Sequence, residues 1–139
     1  MAPYPAIAYA GFLHDAEKEF AEAVLTRVLI EGGAVPAYTD LSVGLPAWLN
    51  GLAEAASELR RHLLDRLRAG ETETAERLLA TMEDAYEALL SVDYPDAVTG
   101  GLRRTADALR AVLERTRSDV TTTVLQVRLQ EALERRASQ

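Results

Sequence analysis

The sequence predicts an all-α protein, an antiparallel helical bundle of about four to five helices. Ala, Leu, Glu and Arg, which favour helices, dominate the chain. Aromatic residues make up only 6%, and the alternation of apolar and polar residues typical of strands is nearly absent. Hydrophobic residues are 48% of the 139, enough for a core, so residues 1–139 are expected to form a single domain.

Apolar spacing and helix-terminating residues place four helices. We expect them over about 13–31, 46–69, 72–91 and 102–135. Pro46 suits the first turn of the second helix and Gly70 its C-terminal cap. The β-branched run 121–124 is a weak spot that could break the fourth. A turn, VDYPDAVTGG, precedes that helix, and the opening MAPYPAIAYAG is apolar enough to pack on a missing element or a partner chain.

Composition excludes several classes of protein. The chain has no cysteine, which rules out disulfides, zinc fingers and thiol chemistry. A net charge of -7 argues against a simple cationic nucleic-acid binder. No signal peptide and no membrane-length apolar run is present, so we expect a cytoplasmic, soluble chain with no membrane partner.

Carboxylates stand inside two apolar helices. Residues 20–30 are polar only at Glu22, Thr26 and Arg27, which predicts a buried helix. Glu19 and Glu22, three apart, share one side of it. Glu54 and Glu58 lie four apart among Leu and Ala in the second helix, whose small residues allow close packing.

Buried like charges need protons, arginine partners or a metal. Four carboxylates from two helices suit Mg²⁺ or Mn²⁺, and such a site can activate water and stabilise a phosphoryl transition state. The alternative is that these glutamates pair with Arg27, Arg60 and Arg61, or reach water.

A di-iron bundle is a rival explanation of inward glutamates, but it requires two Glu-x-x-His motifs. Here Glu19 is followed at that spacing by Glu22, and Glu58 by Arg61. The di-iron hypothesis is therefore rejected. The two histidines, His14 and His62, are predicted to be surface or packing residues.

Basic pairs mark the end of the second helix and the start of the fourth. Arg60 and Arg61 lie towards the end of the second, where cations complement the helix dipole. The dipole does not favour Arg103 and Arg104 at the start of the fourth, so an anionic group is expected there, which could be Asp93, Asp96, a partner chain or RNA phosphate. All four arginines are candidate nucleic-acid contacts, and solvated helix faces are the alternative.

Three segments together resemble the translin/TRAX family. AYAGFLHDAEKEFAEAVLTRVL is similar to the family helix with a Q-E-Y-x-E-A core, which here begins at Lys18. PAWLNGLAEAASELRR resembles Y-L-x-G-x-x-D-x-x-G-E-L-x-R, with Glu54 where the pattern has Asp. SVDYPDAVTGGLRRTADALRAVLERTRSDV resembles the C-terminal pattern of D-Y-P, L-R-x-x-x-D and E-x-T-R-x-D.

The resemblance implies a function and an assembly. TRAX-type subunits are metal-dependent endoribonucleases acting on single-stranded RNA, and their acidic residues match Glu19, Glu22, Glu54 and Glu58. Translin-type subunits lack the acids of the first helix and bind nucleic acid through a basic cluster that this chain does not have. Family members carry further N-terminal helices, so the domain is expected to be N-terminally shortened, and they assemble into closed, mostly octameric shells.

Three hypotheses follow. The leading one is a TRAX-like, Mg²⁺- or Mn²⁺-dependent endoribonuclease that hydrolyses single-stranded RNA at Glu19, Glu22, Glu54 and Glu58. The alternative is a non-catalytic subunit that binds single-stranded RNA or DNA in a translin-like homo-oligomer. The third is a helical oligomerisation domain with ion-paired glutamates.

Overall fold

The described part of the chain forms four helices, at the places the sequence predicts. The computed structural model describes residues 6–93, 95 and 101–139, and these contain no strand. The helices are α1 (Ala6–Glu31), α2 (Leu45–Arg68), α3 (Thr72–Leu90) and α4 (Leu102–Ala137). Part of the predicted turn, Tyr94 and residues 96–100, lies outside the described residues, as do residues 1–5 of the opening segment.

The predicted cap positions are confirmed in α2. Pro46 lies in the first turn, and Gly70 follows the helix with a left-handed φ of 79° that favours glycine. The backbone N–H of Glu71 then donates to the carbonyl of Arg66 at 2.9 Å. This bond satisfies a carbonyl that the end of the helix would otherwise leave unpaired.

One predicted helix limit is wrong, and one open question is settled. α1 begins at Ala6 rather than near residue 13, because the alanine-rich 6–10 favours a helix and nothing there stops one. α4 runs through 121–124 without a break. Val120 and Val124 are buried in the core there, and this packing outweighs the modest helix cost of β-branched residues.

α2 lies at the centre of the bundle and packs on each of the other three helices. Its alanines Ala53, Ala55 and Ala56 are completely buried, which lets the neighbouring helices approach closely. Leu59 and Leu63 continue the core towards Met82 of α3 and Leu109 of α4. Whether Glu54 and Glu58 can form a carboxylate site therefore depends on which face of α2 its neighbours leave uncovered.

The expectation that α1 is buried all round is wrong. Ala21, Leu25 and Leu29 face the core, whereas Phe12 and Phe20 are 78% and 51% exposed. The reason is that α1 packs mainly on α2 and only marginally on α3 within the described residues. One face of α1 is thus covered and the other is open.

A trough runs along α2 between α1 and α4. Both helices pack on α2, but no contact joins them to each other in the part of the chain that the structure describes. The uncovered face of α2 carries Glu54, Ser57, Glu58 and Arg61, all partly or fully exposed. We call this surface the α1–α4 trough. No helix of the described residues is long and apolar enough to cross a membrane.

Candidate functional site

Glu22 of α1 and Glu54 of α2 meet at the edge of the trough. A hydrogen bond joins their side chains, so the two carboxyl groups share a proton site. Lys18, one turn before Glu22 in α1, places its Nζ 3.5 Å from Glu54 Oε1. The site thus brings together two acids and one cation from two helices.

Gly51 makes this meeting possible. It lies in α2 three residues before Glu54 and faces α1. A Cβ at position 51 would come within 2.9 Å of Ala21 Cβ and 3.1 Å of the Glu22 backbone nitrogen. The two backbones therefore cross at closer range than any other residue would permit.

The pKa of Glu22 is raised from its ordinary 4.5 to about 7. Burial is the largest cause, followed by the hydrogen bond to Glu54 and the negative charges of Glu54 and Glu58, while Lys18 lowers it. Burial, the hydrogen bond and the neighbouring charges each disfavour the ionised form of Glu22. A perturbed acid in a concave surface is the kind of group that functional sites use.

Glu58 and Glu19 stand further out. Glu58 contributes its charge to Glu22, and its Oε1 is 3.8 Å from Arg61 Nη1. Glu19 is exposed on α1 and is not among the charges that raise the pKa of Glu22. The structure therefore brings together Glu22, Glu54 and, less closely, Glu58, and leaves Glu19 at the periphery.

The donor set fits a small hard cation only in part. Within residues 6–93, 95 and 101–139, no three Asp, Glu, His or Cys side chains come close enough to form a metal site by themselves. Two carboxylates do meet, however, and Mg²⁺ is commonly held by one or two carboxylates together with waters and substrate phosphate. Glu22 and Glu54 fit that mode, and they do not fit a cage built wholly from protein ligands.

The candidate arginines have different surroundings. Arg60 turns towards α4, where its Nη2 is 2.6 Å from Asp119 Oδ2 and its Nη1 donates to Thr116 Oγ1 at 3.0 Å. Arg61 projects from the trough and is 80% exposed. Arg103 and Arg104 are exposed at the start of α4. The alternative prediction is that the four glutamates pair with arginines. Of the predicted glutamates, Glu58 alone has such a partner within the described residues, Arg61 at 3.8 Å.

Two contributors were not foreseen from the sequence. Lys18 is the one lysine among the 15 basic residues and occupies the position where the family pattern has Gln. Gly51 is a glycine inside a predicted helix, a feature that often marks close packing. Both signals were present in the sequence, but only the crossing of α1 and α2 gives them meaning. The predicted surface or packing histidines, His14 and His62, are both half-buried.

Known proteins resemble this chain in sequence and in fold. No protein-family model matches the chain. It is 32% identical over 128 residues to an uncharacterized protein of Methanocaldococcus jannaschii, covering 91% of this chain and 57% of that protein. The crystal structure of AfC3PO matches with a TM-score of 0.78 and 37% identity, covering 86% of this chain and 63% of the other.

A second AfC3PO structure, a complex with duplex RNA, matches with a TM-score of 0.75 and 38% identity over 81% of this chain and 59% of the other. The fold and the paired acids define a helical bundle with a carboxylate site. AfC3PO is an archaeal C3PO of the translin/TRAX type, and the chain is accordingly a translin/TRAX-like protein, as its motifs predicted. It spans 57–63% of the length of these relatives.

Proposed function

We propose that this chain is a TRAX-like endoribonuclease that depends on Mg²⁺ or Mn²⁺ and hydrolyses single-stranded RNA in the α1–α4 trough. The observation that carries the proposal is the contact between Glu22 and Glu54, two carboxyl groups from different helices held together despite their like charge. Such a pair costs stability unless a proton or a cation compensates it. Similarity to a protein solved with duplex RNA supports RNA as the class of partner.

Glu22 and Glu54 would hold the cation, with Glu19 as a further predicted ligand and Glu58, the fourth acid of the predicted set, left unligated. A bound divalent ion would neutralise phosphate charge and make a water more acidic. Glu58 is not hydrogen-bonded to the pair, is 46% exposed and, among the described residues, has only a 3.8 Å contact with Arg61, so we assign it the role of taking the proton from the attacking water. The water oxygen bonds to phosphorus, the bond to the leaving oxygen breaks, and that oxygen takes a proton from solvent.

Oligomeric assembly belongs to the same proposal. Leu125, Leu129 and Leu133 follow one another at four-residue intervals in α4, and each is more than half exposed. Leucines at this spacing form one apolar stripe, and such exposed stripes mark protein contacts. We expect a homo-oligomer, with the octamer-like shell of the family as its form.

The test is a cleavage assay on labelled single-stranded RNA with Mn²⁺, Mg²⁺ or EDTA, run beside light scattering. Glu22→Gln, Glu54→Gln and Glu58→Gln should each lower the rate at least about a hundredfold, in the range for general-base and electrostatic groups. Glu87→Gln, an exposed acid of α3, is the matched control. Glu19→Gln measures whether the peripheral acid takes part. Wild-type cleavage rates in the Glu22→Gln and Glu54→Gln variants, with the fold intact by circular dichroism, would show that these residues are not catalytic.

A second function is favoured by Lys18. Its ion pair already supplies a positive charge to Glu54, as a binding subunit without a metal would need. In that case the chain binds single-stranded RNA or DNA without cleavage, and affinity is independent of Mn²⁺. Binding in EDTA without any cleavage in Mn²⁺ identifies this function, and a parallel arm with duplex RNA tests strand preference.

A further inference from the structure

The wall of the trough formed by α4 carries two arginines in equivalent positions. Thr105 donates to Asn50 Oδ1 of α2 at 2.8 Å, and Thr116 accepts from Arg60 of α2 at 3.0 Å, so both threonines point at α2. Arg104 and Arg115 each precede one of these threonines. Successive residues of a helix are about 100° apart, so both arginines are turned from α2 in the same direction.

Contacts on the other side of α4 show which direction this is. Arg117 follows Thr116 and is turned the opposite way, where its Nη2 lies 2.7 Å from Glu83 of α3. Arg115 therefore lies on the flank away from α3, and Arg104 lies on that flank as well. This flank faces the gap between α4 and α1, because α1 packs on α2 but not on α4 in the described residues. Arg103, a further 100° round, points away from α2.

The two arginines lie on either side of the acidic pair along the trough. α2 and α4 run in the same direction, since Asn50 meets Thr105 and Arg60 meets Thr116. Arg104 is thus level with Asn50, and Arg115 with Arg60. Eleven residues of helix separate them by roughly 16 Å, with Glu54 between their levels. A strand that follows the trough would pass both arginines and the acids.

Both guanidinium groups are free to bind an anion. Arg104 and Arg115 are exposed, and within the described residues neither has an ion pair. Arg60, Arg66, Arg110 and Arg117, by contrast, each have a carboxylate partner within 3.3 Å. An exposed guanidinium group without a carboxylate partner can form bidentate hydrogen bonds with a phosphate, so the two arginines suit a polyanion that passes both.

We propose that Arg104 and Arg115 bind backbone phosphates of an RNA strand lying along the α1–α4 trough, on either side of the phosphodiester that faces Glu22 and Glu54. This inference rests on the proposed function, which supplies RNA as the ligand, and it adds the two residues that hold the RNA backbone. Phosphate contacts of this kind fix register without reading sequence. Arg103, although adjacent and equally charged, makes no such contact.

The test measures binding of a fluorescein-labelled single-stranded RNA by anisotropy over a range of salt, in Glu54→Gln protein so that cleavage does not interfere. Arg104→Gln and Arg115→Gln should each weaken binding several-fold and lower the slope of log affinity against log salt by about 0.7, the value for one single-strand phosphate contact. The double variant should lose about twice that slope. Arg103→Gln is the matched control and should keep the slope of the Glu54→Gln parent.

Each result has a distinct meaning. An unchanged slope in the double variant, or an equal loss in Arg103→Gln, overturns the proposal even if Mn²⁺-dependent cleavage is found. A reduced slope in the double variant supports it even if Glu22→Gln protein still cleaves, in which case only the catalytic assignment fails. No RNA binding by the parent protein at low salt overturns both. Circular dichroism melts check that the exposed substitutions leave the fold intact.

Discussion

Gly51 of α2 and Ala21 of α1 lie so close that a Cβ on the glycine would be 2.9 Å from the alanine Cβ. The neighbouring atoms on α1 are backbone, the Lys18 carbonyl oxygen and the Glu22 nitrogen, each 3.1 Å away. Backbone atoms cannot swing aside as a side chain can. This crossing therefore sets the distance between Glu22 and Glu54.

Gly51→Ala should lower stability and separate the two acids. Alanine in a helix interior is favoured over glycine by about 1 kcal/mol, but overpacking costs about 1–3 kcal/mol, so a net loss is expected. Gly11→Ala is the control, because Gly11 lies in α1 with nothing within 4 Å of its added Cβ, and it should gain stability. Thermal melts with and without Mn²⁺ measure both effects. A Gly51→Ala protein that is as stable as Gly11→Ala would show that the helices can spread at little cost.

Glu22→Gln should stabilise the protein at pH 8 in EDTA and have little effect near pH 4.5. The folded-state pKa of about 7 lies above the ordinary 4.5, so the folded protein binds more protons between these values. Wild-type stability must therefore fall as pH rises through this window, and the neutral glutamine avoids that loss. Melting temperatures of both proteins across pH 4.5 to 8 test this, with Glu87→Gln as control. A difference between Glu22→Gln and wild type that does not change with pH would contradict it.

Lys18→Gln should strengthen Mn²⁺ binding. Lys18 Nζ is 3.5 Å from Glu54 Oε1, so it competes with a metal for the same oxygen. A partly exposed surface pair contributes about 0.2–1 kcal/mol, which corresponds to a gain in Mn²⁺ affinity of up to about fivefold. Isothermal titration with Mn²⁺ measures it, and Arg27→Gln, which breaks a surface pair with Glu31, is the control. Weaker binding in Lys18→Gln would mean that the lysine organises the acids rather than competing for them.

Arg60→Met should destabilise the fold more than it weakens RNA binding. Arg60 joins α2 to α4 through Asp119 and Thr116, and hydrogen bonds to charged groups contribute about 1.5–3 kcal/mol. Arg61→Met should do the reverse, because Arg61 is exposed in the trough. Urea unfolding and RNA anisotropy on both variants separate the roles. The sequence-based assignment of Arg60 to RNA would be restored if its variant lost affinity without losing stability.

Local patterns were sufficient for the helices and for the acids. Gly70 and Pro46 marked the limits of α2, and helix-forming residues with apolar spacing marked its interior. The same patterns misjudged the burial of α1 and left open whether the run 121–124 breaks α4, because neighbouring helices rather than propensity determine both outcomes. Burial of Val120 and Val124, for example, is a property of the packed bundle.

The sequence by itself determined that this is an all-α, translin/TRAX-like chain and that its unusual acids lie in two helices. Spacing along one helix fixes which residues share a face, and that is local geometry. Only the tertiary structure decided that Glu22 meets Glu54, that Glu19 stays outside, and that Lys18 joins them. These depend on where α1 crosses α2, which is set by close packing at Gly51 between residues about 30 positions apart in the chain.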